Sequence, residues 1–260
     1  MDITVVRETF DAQVRRGAGV VTPEGVVRLV EGEGAAGWAG VVWSGFAAHD
    51  GARADAAIAA ERAWLGSAEG AGREYEWKLY SYDLPADLPQ RLTAAGFTAE
   101  PPETLMVAEV AELAQDTPVP EGVRFAEVRD AAGVDLMAKV HDEAFGTDSG
   151  RLRDRLLDQL GDPDVGMTLA TAGGRPVCGA RVEFHPGTQF ASLWGGGTVP
   201  EWRGRGIYRA LVAHRARTAA ARGCRYLQVD ASDQSRPILE RLGFAPLAVT
   251  TPYVLPSADQ

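Results

Sequence analysis

The sequence predicts an α/β (α+β) protein made of two similar halves in tandem, each a mixed, mainly antiparallel β-sheet flanked by helices. Three observations carry this expectation. Strand-like runs rich in Val, Leu, Trp and Tyr alternate with glycine-containing turns and with helical periodicities. At Leu193 to Gly223 a strand runs through a glycine-containing loop straight into a long helix. A pattern of strand, short helix, Gly-Phe and strand occurs twice, once over Tyr75 to Val110 and again over Arg225 to Leu255.

In chain order, residues 1 to 16 fit a helix, or a strand followed by a helix. Val26 to Val30 and Trp38 to Trp43 read as a hairpin across the glycine-rich turn Glu31 to Gly37. Ala52 to Leu65 has high helix propensity, with Ile58, Ala59, Arg62 and Trp64-Leu65 as its expected apolar face. From Tyr75 to Tyr82 the residues Tyr75, Trp77, Leu79 and Ser81 alternate with Glu76, Lys78, Tyr80 and Tyr82, as in a strand. Leu88 to Ala95 is a short helix closing on Gly96-Phe97, and Thr104 to Val110 is a further strand. Ala111 to Glu121, with Pro118 and Pro120, reads as a linker, so domains are expected at 1–115 and 116–260.

The second half begins with a strand at Val123 to Val128 and helices at Ala131 to Phe145 and Arg151 to Leu160. Strands follow at Met167 to Thr171 and Val177 to Phe184, joined by the turn Ala172 to Pro176, and then Phe190 to Val199 leads into the loop. After the helix Ile207 to Gly223 come the strand Arg225 to Val229, the helix Ser235 to Leu242, Gly243-Phe244, and a closing strand at Thr250 to Leu255.

The 260 residues carry a formal charge of -10. Residues 1–115 hold 9 basic and 18 acidic side chains and 116–260 hold 17 and 18, which gives -9 and -1. This balance argues against a general nucleic-acid binder and leaves the second half free to take an anion on its local arginines. The acidic first half suits a cationic or amine acceptor, or simply solubility. Cys178 and Cys224 have neither metal-ligand spacing nor a disulfide framework. The first 16 residues lack the basic start and apolar core of a signal peptide, and no run approaches membrane-spanning length. No metal, no membrane and a cytoplasmic location are therefore the expectations, with monomer and homodimer equally compatible.

Thr198 to Gly223 is the stretch on which function turns. A strand, a loop containing Arg203, Gly204, Arg205 and Gly206, and a helix N-terminus suit an anionic phosphate. The first amides of a helix point outward without partners, the dipole adds positive potential, and glycines let the backbone approach. The loop is not a Walker A loop, because no Gly-Lys-Ser/Thr ends it, and it lacks the third glycine of a dinucleotide fingerprint.

Arg203-Gly204-Arg205-Gly206-Ile207-Tyr208 resembles the R-x-x-G-x-G/A signature of the GCN5-related N-acetyltransferases, with Tyr208 standing where a small residue is usual. Ile238 to Phe244 is similar to that family's late helix, which often ends Leu-Tyr-x-x-x-Gly-Phe. The order of elements over 123–255 matches the family's fold. The first half then resembles a degenerate copy whose corresponding segment, Ala47 to Asp55, lacks the loop; it is expected to bind no cofactor and to wall the acceptor site.

The resemblance implies acetyl-CoA, or another acyl-CoA, as co-substrate and a small-molecule amine as acceptor, with direct attack. It further implies that the strand end, Gly197, Thr198 and Val199, meets the acyl and pantetheine part, and that Arg203 to Tyr208 hold the pyrophosphate. Trp194 is expected in the acceptor-site wall, beside the Gly195 to Gly197 run. Acyl transfer to an amine needs a group to take a proton and one to supply it. The positions where relatives often carry a glutamate base and a tyrosine acid are here Leu193 and Leu239. The remaining candidates are Glu183 and His185 on one strand face, Asp230 and Ser232 at the end of the next strand, and Tyr253 in the closing strand; each also has a purely structural reading. A non-catalytic acyl-CoA sensor and an acyl-CoA decarboxylase are the alternatives.

Overall fold

The computed structural model describes residues 1–32, 34, 37–146 and 149–255; Glu33, Ala35 and Ala36 of the expected hairpin turn lie outside them. The chain forms two compact units. The first comprises Met1–Leu105, Asp230–Gln234 and Pro246–Gln260, and the second Met106–Val229 and Ser235–Ala245. The closing strand, read from sequence as part of the second half, therefore packs with the first unit.

In the first unit, α1 (Ile3–Phe10) is capped by Asp2, whose carboxylate accepts the Thr4 and Val5 amides, and the helical path continues to Arg15. The strands β1 (Val20–Val21), β2 (Val26–Glu31), β3 (Trp38–Ser44), β4 (Glu74–Tyr80) and β12 (Ala245–Leu255) hydrogen-bond in that order. The β2–β3 pair is the antiparallel hairpin expected, while β3 and β4 run parallel across the helix α2 (Gly51–Leu65). On β4 the alternating Tyr75, Trp77 and Leu79 are buried, in a core with Val26, Val41, Ile58 and Leu92.

The buried face of α2 is Ala54, Ala57, Ile58 and Glu61, not the stripe through Ala59 and Arg62 expected from sequence. Glu61 is fully buried because its carboxylate is matched on both sides. Arg28 on β2 donates from Nε at 2.6 Å and Nη2 at 2.7 Å, and the Tyr75 hydroxyl donates at 2.6 Å. A helix face scored by apolarity alone misses a charge whose partner lies on another element.

In the second unit β7 (Val123–Glu127), β8 (Val165–Ala172), β9 (Arg175–Phe184) and β10 (Phe190–Thr198) are successive antiparallel neighbours. The next strand, β11 (Tyr226–Ala231), pairs parallel to β10 through the crossover helix α6 (Ile207–Ala221). The helices α4 (Ala131–Phe145) and α5 (Gly150–Asp158) precede β8. The two long helices cover opposite sheet faces. A Cβ at Gly179 or Gly197 would meet Met137 or Ala144 and Phe145 of α4, whereas one at Gly196 would meet Tyr208 and Arg215 of α6.

The internal repeat extends to hydrogen-bond detail. The short helices α3 (Leu88–Ala94) and α7 (Arg236–Arg241) both end on a left-handed glycine, Gly96 at φ 92° and Gly243 at φ 99°. In each, the amide of the following Phe bonds back to a leucine carbonyl, Phe97 to Leu92 at 3.1 Å and Phe244 to Leu239 at 3.0 Å. Both phenylalanines are buried.

Candidate active site

The parallel pairing of β10 with β11 runs only from Phe190↔Tyr226 to Ser192↔Gln228, and β10 then continues alone on that side to Thr198. On its other side it pairs with β9, with a bulge between Trp194 and Gly197, where Trp194 faces Arg181 and Gly197 faces Gly179. The extra residue is accommodated by Gly195 at φ 59°. A strand that parts from its parallel neighbour and bulges leaves a slot with unpaired edge groups, which suits an extended ligand.

At the end of that strand the chain turns through a short 3-10 helix, Pro200–Trp202, and enters α6 with Gly206 at the N-cap. Gly204 (φ 74°) and Gly206 (φ 81°) both take the left-handed conformation, so side chains are absent where the loop must turn tightly. The Ala210 amide is the first to bond back into the helix, to Gly206 at 3.0 Å. Among the described residues the amides of 204–209 have no hydrogen-bond partner. Six such N–H groups beside the positive end of a helix dipole form a cradle for an anion.

The three loop arginines divide their work. Arg203 ties the loop down, donating from Nε to the Thr198 carbonyl at 3.1 Å and from Nη2 to the Ala144 carbonyl at 2.6 Å. Arg205 lies over the Trp202 ring at 4.4 Å and is exposed, as is Arg209. Arg209 and Arg241 also border a hollow of about 360 Å³ between α6 and the segment Leu113 to Pro118.

Tyr208 departs from the family signature, and the structure gives the reason. Its ring turns inward over the bulge, and a Cβ at Gly196 would come within 2.7 Å of Tyr208 Cε2. A large residue on the helix is thus matched by a glycine on the strand. Beneath it lies Arg215, 2% exposed, which donates from Nη1 to the Arg181 carbonyl at 3.2 Å and has no carboxylate partner among the described residues. Burial lowers the Arg215 pKa, raises that of Tyr208, and raises that of the Cys178 thiol, which accepts from the Thr198 hydroxyl at 3.2 Å.

The proton-transfer candidates from sequence are mostly engaged elsewhere. Glu183 forms an ion pair with Arg181 at 2.9 Å and accepts from Gln159 at 2.9 Å. His185 shares a hydrogen bond of 2.6 Å with the buried Ser192 hydroxyl, which also meets Gln228. Asp230, Ser232 and Tyr253 belong to the first unit. There Asp230 meets Lys78 at 2.5 Å and Thr250 at 3.3 Å, and Tyr253 packs in the core. Burial alone would lower the Lys78 pKa, but the adjoining Asp230 carboxylate outweighs it and holds the ammonium charged. Leu193 and Leu239 are fully packed.

A group that sequence reasoning missed stands on the α4 face. His141 lines a cavity of about 190 Å³ together with Trp194, Gly195 and Gly197 of the bulge. Its Nδ1 lies 2.6 Å from the buried Ser149 hydroxyl, and its ring packs on Phe145 with centroids 4.5 Å apart. Burial lowers its pKa against the opposing pull of Asp142, so the ring is neutral near pH 7. The available signal was positional: His141 falls on the 134, 137, 138, 141 spacing of an otherwise apolar helix face.

His141, His185 and His214 all have pKa values lowered first by burial. The unfolded chain therefore binds more protons than the folded one as pH falls. Stability is full above the unfolded histidine range and is lost as pH drops through the lowered folded values. Denaturant midpoints are expected to fall from about pH 7.5 to about pH 5.5, and His185→Gln should flatten that slope. Equal slopes in wild type and variant would remove His185 from this effect.

A strand that splays and bulges beside a glycine-turned helix N-terminus is the arrangement of this second unit. Residues 133–244 match the model of the acetyltransferase (GNAT) family. Solved structures share the fold along nearly the whole length. A GCN5-related N-acetyltransferase from Kribbella flavida is 21% identical with a TM-score of 0.69, covering 98% of this chain and 96% of that one. One from Sphaerobacter thermophilus is 18% identical with a TM-score of 0.61, covering 92% and 81%. The tandem GNAT protein from the clavulanic acid biosynthesis pathway is 14% identical with a TM-score of 0.57, covering 85% and 76%. The tandem fold expected from the repeat is thus observed. Among proteins of curated function, none matches the sequence. No helix among the described residues is long and apolar enough to cross a membrane.

Proposed function

We propose that the chain is an acyl-CoA-dependent N-acetyltransferase that acetylates the amine of a small molecule, with the second unit holding the co-substrate. The single observation that carries this is the row of unpartnered amides at 204–209, set at the end of a strand freed from its parallel neighbour. Those amides and Arg205 fit a pyrophosphate, and Arg209 and Arg241 are placed for the phosphates at the nucleotide end. The slot along Gly197 to Val199 fits the pantetheine arm. When bound, acetyl-CoA supplies an acyl group activated as a thioester.

The residues of this chain then bind and orient. Arg203 fixes the loop to the strand end, the bulge presents backbone to the reacting end, and Trp194 walls the acceptor side. The corresponding helix of the first unit, α2, is built differently. The Asp50 carboxylate accepts the Ala47 amide at 2.8 Å just before that helix, so a negative charge stands where the second unit has its cradle. This supports a single cofactor site.

A second reading, binding without turnover, is favoured by the packed Leu193 and Leu239 and by the engaged Glu183 and His185. Calorimetric titration tests the shared premise: coenzyme A is expected to bind once per chain. An absence of heat from a folded sample would contradict it.

A further inference from the structure

The cavity beside the bulge is chemically two-sided. Met137, Val140, Leu152 and Leu156 make an apolar wall, with Trp194 at its edge. Against this stand Arg155 and Arg181. Arg181 is buried and shares its charge with Glu183. Arg155, half-buried on α5, has no hydrogen bond or ion pair from its side chain among the described residues. At about 190 Å³ the space is below the ~300 Å³ at which pockets for drug-sized ligands begin. An uncompensated guanidinium at an apolar cavity calls for a small anion joined to an apolar body, and a carboxylate fits its planar fork.

Building on the acetyltransferase reading above, we infer that the acceptor is a small amino carboxylate with an apolar side chain, of the leucine or methionine class. Its carboxylate pairs with Arg155, its side chain lies on the Met137 and Leu156 wall, and its amine faces His141 and the bulge. With Nδ1–H donated to the Ser149 hydroxyl, Nε2 of His141 keeps a lone pair, and no partner holds it among the described residues. The ammonium gives one proton to Nε2, from which it passes to water. The amine nitrogen bonds to the thioester carbonyl carbon, the C–S bond breaks with its electron pair on sulfur, and the nitrogen's second proton goes to the thiolate. The sum is N-acetyl amino acid, free thiol and one proton. Asp142 on the same helix pulls the His141 pKa upward against burial, and Arg155 and Arg181 are the charged groups that line the same cavity from the neighbouring elements.

The test is calorimetric titration of the full chain, with and without coenzyme A, using L-leucine, leucinol and 3-methylbutylamine. Leucine is expected to bind about 10- to 100-fold more tightly than the two probes without a carboxylate, as for loss of a charge-assisted hydrogen bond. Arg155→Gln is expected to erase that preference while coenzyme A affinity stays at the wild-type value. His141→Gln should keep leucine binding and lose leucine-dependent thiol release, with the acid limb of the pH–rate profile removed from any residual rate. Equal binding of all three probes, or an unchanged preference in Arg155→Gln, would overturn the inference while leaving the cofactor reading standing. Leucine binding without any coenzyme A heat would do the reverse: the cavity assignment would hold and the acyl-transfer reading would fall.

Discussion

Gly206→Asp is expected to weaken coenzyme A binding by on the order of 100-fold or more, with the fold retained. Gly206 is the N-cap of α6 at φ 81°, and the nearest groups to a Cβ there are Arg209 Nη2 at 3.7 Å and Pro120 Cγ at 3.9 Å. Space is available, so the cost to folding is the left-handed conformation, about 1–2 kcal/mol. The cost to binding is larger. A carboxylate at the mouth of the amide cradle stands within a few ångströms of the bound phosphates, and like charges about 4 Å apart repel by ~4 kcal/mol at an effective dielectric near 20. That is close to three powers of ten, and solvent screening reduces it. Gly206→Ala carries the strain without the charge and should stay within about tenfold of wild type. Calorimetry alongside a thermal melt separates the two terms, and unchanged affinity in Gly206→Asp would remove the loop from the site.

The largest effect on stability is expected from Arg15→Met, a loss of about 3–5 kcal/mol and a melting shift on the order of 10 °C. Arg15 is 2% exposed in the first unit. It donates to both oxygens of Asp83 at 2.9 and 2.8 Å, to Asp11 at 2.9 Å and to the Val42 carbonyl at 2.9 Å, and its guanidinium lies 3.6 Å over the Tyr80 ring. Methionine fills similar volume but strands the buried Asp83 carboxylate. Burial pushes the Asp83 pKa up, and Arg15 is the charge pulling it back. Without that charge the folded pKa rises further above the unfolded one. The variant should therefore regain stability as pH falls into the carboxylate range and lose it as pH rises through the folded value. Adding Asp83→Asn should restore most of the loss, because the pair matters mainly through the charge left behind. A single-variant loss below about 1 kcal/mol at neutral pH would contradict this account.

Much of the fold was legible because its signals are local. The spacing Leu88 to Phe97 and Pro237 to Phe244 states both helix and stop signal, and the two glycines duly sit at nearly the same φ. The loop Arg203 to Tyr208 was legible for the same reason. What sequence could not show depends on pairing between distant elements. Glu61 on an otherwise apolar helix face is explained only by Arg28 and Tyr75, 33 and 14 residues away. The closing strand joins the first unit because β12 pairs with β4, from Thr250↔Tyr80 to Leu255↔Tyr75, a choice no local pattern records. Arg203 illustrates the same limit within a motif. Its position was clear, but its two bonds to the Thr198 and Ala144 carbonyls make it a brace for the loop. Of the cavity beside the bulge, Trp194 and the glycine run were legible, whereas His141 and Arg155 come from α4 and α5 and meet them only in space.

Acyl transfer by the second unit is tested most directly by following free thiol release from acetyl-CoA together with the mass of the acceptor, across pools of amino acids, polyamines, small amines and aminoglycosides. The predicted result is release confined to the apolar amino-acid pool, with one acetyl group gained by the acceptor for each thiol freed. Coenzyme A binding with no release in any pool would contradict it and establish a binding protein without turnover.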